Sequence, residues 1–208
     1  MADVPFPPEL FQRIDESDDA DFYRVARFVT HIDDATIRAL TAAYRELVPA
    51  GAAVLDLMSS WVSHLPEDVA YPRVTGQGMN RDELEHNPRL TERIVHDLNR
   101  CPDLPFADET FDAVLNAVSV QYLTRPLEVF ASVRRVLRPG GLVIVAISHR
   151  MFPTKAVAAW HALAAVDRPH LVRAYFEHSG GWDAPSVLDR SPAGADPLWV
   201  ICARRPAG

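Results

Sequence analysis

At 208 residues the chain has the length of one domain, and its 48% hydrophobic, 24% charged and 9% aromatic side chains describe a globular protein that buries roughly 70% of its unfolded surface, which excludes disordered and collagen-like architectures. With 28 acidic against 21 basic side chains the net charge is −7, so no overall positive field favours a phosphate backbone or an anionic membrane, and neither nucleic acid nor membrane is expected as a partner. Cys101 and Cys202 lack zinc-ligand spacing, so no disulfide framework or metal site is expected; Met1–Leu10 lacks the basic start and apolar run of a leader, and a cytoplasmic protein is expected.

Helical periodicity runs from Phe22 to Leu47, after an acidic stretch from Asp15 to Asp21 that reads as a solvated surface without chemistry. Asp33 and Asp34 mark a helix start, Ile37, Leu40, Ala43 and Tyr44 share one helical face, and Pro49 with Gly51 stops the helix. Ala52–Met58 then reads as a strand apolar on both faces, as in a parallel sheet. A second strand is expected at Tyr71–Gly76 and a helix from Asn80, where Asn80 and Glu83 have capping-box spacing. A third strand is expected at Ile94–Leu98 and a fourth at Phe111–Ser119. Pro126–Leu137 reads as an amphipathic helix, stopped by the turn Arg138–Gly141, and Leu142–Ser148 is the clearest strand. Two further helical segments between Met151 and Trp182 and an apolar strand over Pro197–Arg204 complete the pattern. Strands and helices alternating at spacings of about 25–35 residues argue for βαβ units and an α/β doubly wound domain.

Four stretches resemble the class I S-adenosylmethionine-dependent methyltransferases that act on small molecules. They are Val54-Leu55-Asp56-Leu57, Asp97-Leu98, the run Leu104-Pro105-Phe106-Ala107-Asp108 through Phe111-Asp112-Ala113-Val114, and the turn Val136-Leu137-Arg138-Pro139-Gly140-Gly141-Leu142. Gly180-Gly181-Trp182 and Leu198–Arg204 resemble the family's strands six and seven. The resemblance implies a Rossmann-like, mostly parallel seven-stranded sheet over residues 51–208, with residues 1–50 as an N-terminal helical cover. It also implies S-adenosylmethionine as cofactor and a small molecule as methyl acceptor. Two places depart from the family. No glycine follows Asp56-Leu57, where Met58-Ser59-Ser60-Trp61-Val62-Ser63-His64 replaces the glycine-rich loop, and Gly78 stands where a ribose-binding carboxylate is usual. Serine hydroxyls in that loop can hydrogen-bond a carboxylate or ribose, and the amide oxygen of Gln77 or Asn80 can stand in for the missing acid.

The resemblance assigns Asp56, Ser59, Ser60, Gly78, Met79, Asn80, Asp97, Leu98 and Asn116 to the cofactor. Asp56 equally suits a cap on the Ser59–Ser60 turn, Asp97 a turn aspartate, and Asn116 a hydrogen bond within the core. Open α/β sheets bind ligands at the carboxyl ends of their strands, and His149 follows the fifth strand there. It is the candidate base, because an imidazole titrates near neutral pH, although a structural hydrogen bond explains it too. Tyr23, Arg27, His31, Met151 and Phe152 are the expected substrate-pocket residues. Asp33 can line the same pocket or cap a helix, His64 is a further candidate, and Arg27 can alternatively meet the cofactor's carboxylate. Met151–Trp160 reads either as a lid or as a helix packed on the sheet. A non-catalytic binding or scaffold protein on the same fold is the rival function. A nicotinamide dehydrogenase is disfavoured because no G-x-G-x-x-G follows the first strand.

Overall fold

The structure is a computed structural model that describes residues 6–208; residues 1–5, part of the expected N-terminal cover and leader reading, lie outside the described residues. In chain order the elements are α1 (Asp19–Phe22), α2 (Asp34–Leu47), β1 (Ala53–Leu57), β2 (Arg73–Gly78), α3 (Arg81–Glu85), β3 (Glu92–Val95), β4 (Phe111–Ala117), α4 (Pro126–Val136), β5 (Leu137–Ile147), α5 (Ala158–Ala162), α6 (Arg168–Ser179), β6 (Ser186–Asp189) and β7 (Trp199–Arg204). They build one seven-stranded sheet in the order β3-β2-β1-β4-β5-β7-β6. The first five strands are parallel, and β7 runs antiparallel to both β5 and β6. From β1 the chain winds outward to β3 and then returns to β4 on β1's other side. This reversal opens a crevice at the carboxyl ends of β1 and β4, where doubly wound sheets bind ligands.

Alternate residues of β1 feed two cores. Leu55 and Leu57 pack with Val114, Val143 and the α4 residues Val129 and Val133, whereas Val54 packs with Leu115, Ile144 and the α2 residues Leu40 and Tyr44. Strands buried on both faces read as nearly continuous apolar runs, in β1 broken only by Asp56. The Asp33 carboxylate accepts the Thr36 N–H at 2.8 Å and starts α2 where the sequence placed it. Because α2 covers one face of the sheet, residues 34–47 share the core of the strands rather than forming a separate cover.

Four boundaries differ from expectation, each for a local reason. β2 extends to Gly78 because both of its glycines pair with neighbours instead of ending the strand. A Cβ on Gly76 would lie 2.3 Å from the Leu90 side chain, so that glycine serves packing. β3 spans Glu92–Val95 rather than Ile94–Leu98; beyond it, Asp97 accepts the Asn99 N–H at 2.9 Å and turns the chain. Gly180 and Gly181, at φ +70° and +73°, end α6, so strand six forms further on at Ser186–Asp189. Arg138–Gly141 is a bulge inside β5, marked by a register shift between the partners of Phe111 and Ala113.

The largest departure is the run from Tyr23 to Ile32, expected as helix and found as a turn followed by irregular backbone with bends. Its backbone binds distant side chains instead of itself. The Asn80 amide donates to the carbonyls of Tyr23 (2.8 Å) and Arg24 (3.2 Å), and Glu83 accepts the Arg27 N–H at 2.7 Å. No helix among the described residues is long and apolar enough to cross a membrane.

Candidate active site

A cleft of about 1150 Å³, counted to its open mouth, lies at the carboxyl ends of β1, β2 and β4 beneath the irregular strap 23–32. Its floor begins with the loop after β1. The Ser59 and Ser63 hydroxyls each donate to Asp56 Oδ2 at 2.6 Å, and the Asn87 amide donates to the Ser63 oxygen at 2.9 Å. Gln77 holds the loop from the other side, accepting the Met58 N–H on its side chain (3.0 Å) and the Ser59 N–H on its carbonyl (2.7 Å). Met58 takes φ +56°, the left-handed geometry that glycine usually supplies, at a cost of roughly 1–2 kcal/mol for a residue with a Cβ. Asp56 is 4% exposed, and burial pushes its carboxyl up to about 6 against the lowering effect of the two serine hydroxyls.

The rim beside β2 is closed by side chains already in use. A Cβ on Gly78 would lie 2.3 Å from the Ser59 carbonyl oxygen, so no side chain fits there. The Gln77 amide also donates to the His96 carbonyl at 2.6 Å, and Asn80 Oδ1 accepts the Glu83 N–H at 3.0 Å while its amide ties the strap. Both amides are thus engaged by the protein, and each amide oxygen, accepting one N–H, keeps a second lone pair. Glu83, read from the sequence as a capping partner, faces the strap instead; besides the Arg27 N–H it accepts the Ser60 hydroxyl at 2.6 Å.

At the far end Asp97 and Leu98 line the cleft. Asp97 is indeed a turn aspartate, accepting the N–H groups of Asn99 and Arg100 on Oδ1, and among the described residues Oδ2 has no partner. Asn99 in turn donates to Asp19 Oδ2 at 2.8 Å. Asp19 corrects the reading of the acidic run as solvated. It is 6% exposed, accepts Arg13 Nη1 at 2.8 Å and lies 3.2 Å from the fully buried Lys155 ammonium. Although burial works against its charge, the hydrogen bonds from Asn99, Arg13 and Lys155 hold its carboxyl below the ordinary range.

Above the floor is a chamber of aromatic rings. Phe152 contacts Phe22 (5.5 Å), His31 (4.9 Å) and Tyr122 (5.8 Å, nearly parallel), and its N–H donates to the Tyr122 hydroxyl at 2.8 Å. Burial pushes the Tyr122 phenol to about 12 and raises that of Tyr23 further, so both stay neutral. Burial lowers His31, helped by the Arg27 charge and opposed by Glu83; burial and His31 together push His64 down to about 4. Two neutral imidazoles therefore face the chamber near pH 7. His64 and Val118, both lining the cleft, also adopt left-handed backbone at φ +52° and +49°. Among the described residues, three of the four non-glycine residues with positive φ thus stand at this cleft, where strain tends to collect at functional positions.

The cleft brings together Asp56, Ser59, Ser60, Gly78, Met79, Asn80, Asp97 and Leu98 with Tyr23, Arg27, His31 and Phe152. Three expected residues stand elsewhere. His149 is 42% exposed and turned to Asp196 at 3.4 Å, which also binds Arg150 and the Asp33 backbone, so the expected base is not on the cleft wall. Asn116 is 2% exposed, stands outside the cleft lining and donates to the Leu57 carbonyl at 3.3 Å. Met151 packs against the core. Met151–Trp160, read as either a lid or a packed helix, divides: its first half is not helical, with Phe152 on the cleft and Pro153 and Thr154 exposed, whereas Val157 pairs with Arg13 and Lys155 and Trp160 are fully buried. Tyr122 and Asn99 were not anticipated; both follow strand ends on the same edge, the one signal that would have found them.

Residues 70–145 match the methyltransferase-domain family model. Methyltransferase GfsG of Streptomyces halstedii is 32% identical over 79 residues, 35% of this chain and 28% of that protein. The chain spans less than a third of the curated relatives it matches. Among solved structures, the 4+2 cyclase SpnF matches with TM-score 0.61 at 17% identity over 84% of this chain and 83% of its own. An S-adenosylmethionine-dependent methyltransferase from Aquifex aeolicus matches with TM-score 0.58 at 14% identity over 83% of this chain and 98% of its own. The matched segment is thus similar to a methyltransferase domain, and the order and direction of the seven strands give the chain the Rossmann-like α/β fold that those solved structures share.

Proposed function

We propose that the protein is a cytoplasmic S-adenosylmethionine-dependent methyltransferase acting on a small-molecule acceptor. The observation that carries this is the convergence of the Asp56–Ser59 loop and the open oxygen of Asp97 on one cleft, with an aromatic chamber above it. The residues fit the cofactor at its two ends. Asp97 and Leu98 would hold the adenine, Asp97 by its uncommitted carboxylate oxygen, and the Asp56–Ser59 loop would face the methionine end. Buried atoms without partners among the described residues, Ser119 Oγ and His64 Nδ1, stand at the same cleft and are available to a ligand. The ribose would have to be met without a carboxylate at the end of β2. The bound cofactor supplies a methyl group on a positively charged sulfur. The chain's contribution is to position the acceptor against the rings of Tyr122 and Phe152, to exclude water under the strap, and to offer the neutral His31 imidazole as a proton acceptor.

Calorimetric titration with S-adenosylhomocysteine tests the reading. Asp97→Ala is expected to weaken binding by about 10–100-fold, the loss of one hydrogen bond to a charged group; unchanged affinity means the adenine lies elsewhere. A non-catalytic binding protein on the same fold is the second reading, favoured by the filled Gly78 corner and the committed Gln77 and Asn80 amides. It predicts no binding of S-adenosylhomocysteine or S-adenosylmethionine at about millimolar concentration.

A further inference from the structure

Arg27 lines the chamber half-buried, and among the described residues no carboxylate lies within ion-pair distance of its guanidinium. The neighbouring acids are engaged elsewhere: Glu83 by Ser60 and the Arg27 backbone N–H, Asp19 by Arg13, Lys155 and Asn99, Asp56 by Ser59 and Ser63. The guanidinium is nonetheless fixed. Its Nη1 donates to the Val25 carbonyl (3.2 Å) and Nη2 to the Phe22 carbonyl (2.9 Å), and its plane lies over the rings of Phe22 (4.5 Å) and Phe152 (5.6 Å). Two of its five N–H groups are used, which leaves three on a pre-oriented, permanently charged fork. A fixed cation on an aromatic wall, in a chain of net charge −7, is an arrangement that a ligand carboxylate would complete.

Resting on the methyltransferase reading above, we propose that Arg27 binds the carboxylate of the methyl acceptor, and that the acceptor is a small carboxylic acid with an apolar or aromatic body. The rings of Phe152 and Tyr122 receive that body, and the guanidinium pairs with the acid group. The acceptor, rather than the cofactor's own carboxylate, is assigned because the guanidinium rests on Phe152 after β5 and on Phe22 of α1, whereas the end of β1 and the loop after it carry Asp56 and Ser59 for the methionine end.

The test uses the cofactor-free chain with benzoate, trans-cinnamate and indole-3-acetate, each beside its primary amide, measured by calorimetry on the wild type, Arg27→Gln and Arg27→Lys. At least one acid is expected to bind about tenfold or more tighter than its amide, as a charge-assisted fork predicts. Arg27→Gln abolishes that preference and Arg27→Lys keeps part of it, with both variants retaining the wild-type circular dichroism spectrum. S-adenosylhomocysteine affinity should be the same in wild type and Arg27→Gln. The proposal is overturned if no acid is preferred to its amide, or if Arg27→Gln weakens S-adenosylhomocysteine instead, which would give Arg27 to the cofactor. Failure of S-adenosylhomocysteine to bind the wild type at all would sink the methyltransferase reading, while the acid-to-amide ratio still decides the carboxylate site.

Discussion

Replacing Asp56 by asparagine should make the protein more stable at neutral pH and should do so only there. The buried carboxyl titrates at about 6 against an ordinary 3.8, and at 1.36 kcal/mol per unit the difference corresponds to about 3 kcal/mol. The native state holds this proton more tightly than the unfolded chain. The wild type therefore has its full stability from this group below the ordinary carboxyl range, loses it as pH rises from there to about 6, and does not regain it above. Asparagine has nothing to ionise, and its amide oxygen can still accept the Ser59 and Ser63 hydroxyls. In urea denaturation across the acid-to-neutral range, the variant's advantage should climb from its low-pH value by about 3 kcal/mol by pH ~7.5. Other carboxyls with lowered values, such as Asp15 and Asp33, act equally in both proteins and cancel. A difference that stays flat or falls with pH would refute the reasoning, because it would mean that the Asp56 site is wetter than its burial implies.

Gly78→Ala places a Cβ 2.3 Å from the Ser59 carbonyl, so it should cost about 1–3 kcal/mol of overpacking strain and also weaken S-adenosylhomocysteine. Gly141→Ala, far from the cleft yet also close to backbone at 2.8 Å, should lower the thermal midpoint and leave ligand affinity alone. Asp19→Ala leaves the fully buried Lys155 with Asp15 as its remaining acid, and should destabilise by about 3–5 kcal/mol in denaturant titration; a loss under about 1 kcal/mol would mean that the cluster is solvated after all.

Most of the sheet is legible in the sequence because its signals are local. Val54, Leu55 and Leu57, and likewise Leu142–Ile147, place apolar side chains on both faces, Asp33 and Asn80 cap the helices they precede, and Pro139-Gly140-Gly141 admits no helix. Strand ends locate the ligand edge, and the family resemblance is what singled out Asp56, Gly78 and Asp97 there; all three line the cleft. What stayed hidden depends on contacts between distant segments. The strap lacks helix because Asn80 and Glu83 take its backbone groups, and nothing within Tyr23–Ile32 reveals those partners. Asp19 sits in a run of acids that reads as solvent-facing until Lys155 and Arg13 fold against it. His149 and Asn116 both stand at the correct edge by strand counting. Asp196 draws the first outward, and the second is buried and bonded to the Leu57 carbonyl, a choice that a strand buried on both sides does not encode.

The most direct test of the central claim is a crystal structure of the protein with S-adenosylhomocysteine. The account predicts the adenine amine on the Asp97 carboxylate beside Leu98, the homocysteine end against the Asp56–Ser59 loop, and the sulfur facing the chamber of Tyr122 and Phe152. A ligand bound away from this cleft, or a cleft that stays empty at saturating ligand, would contradict it.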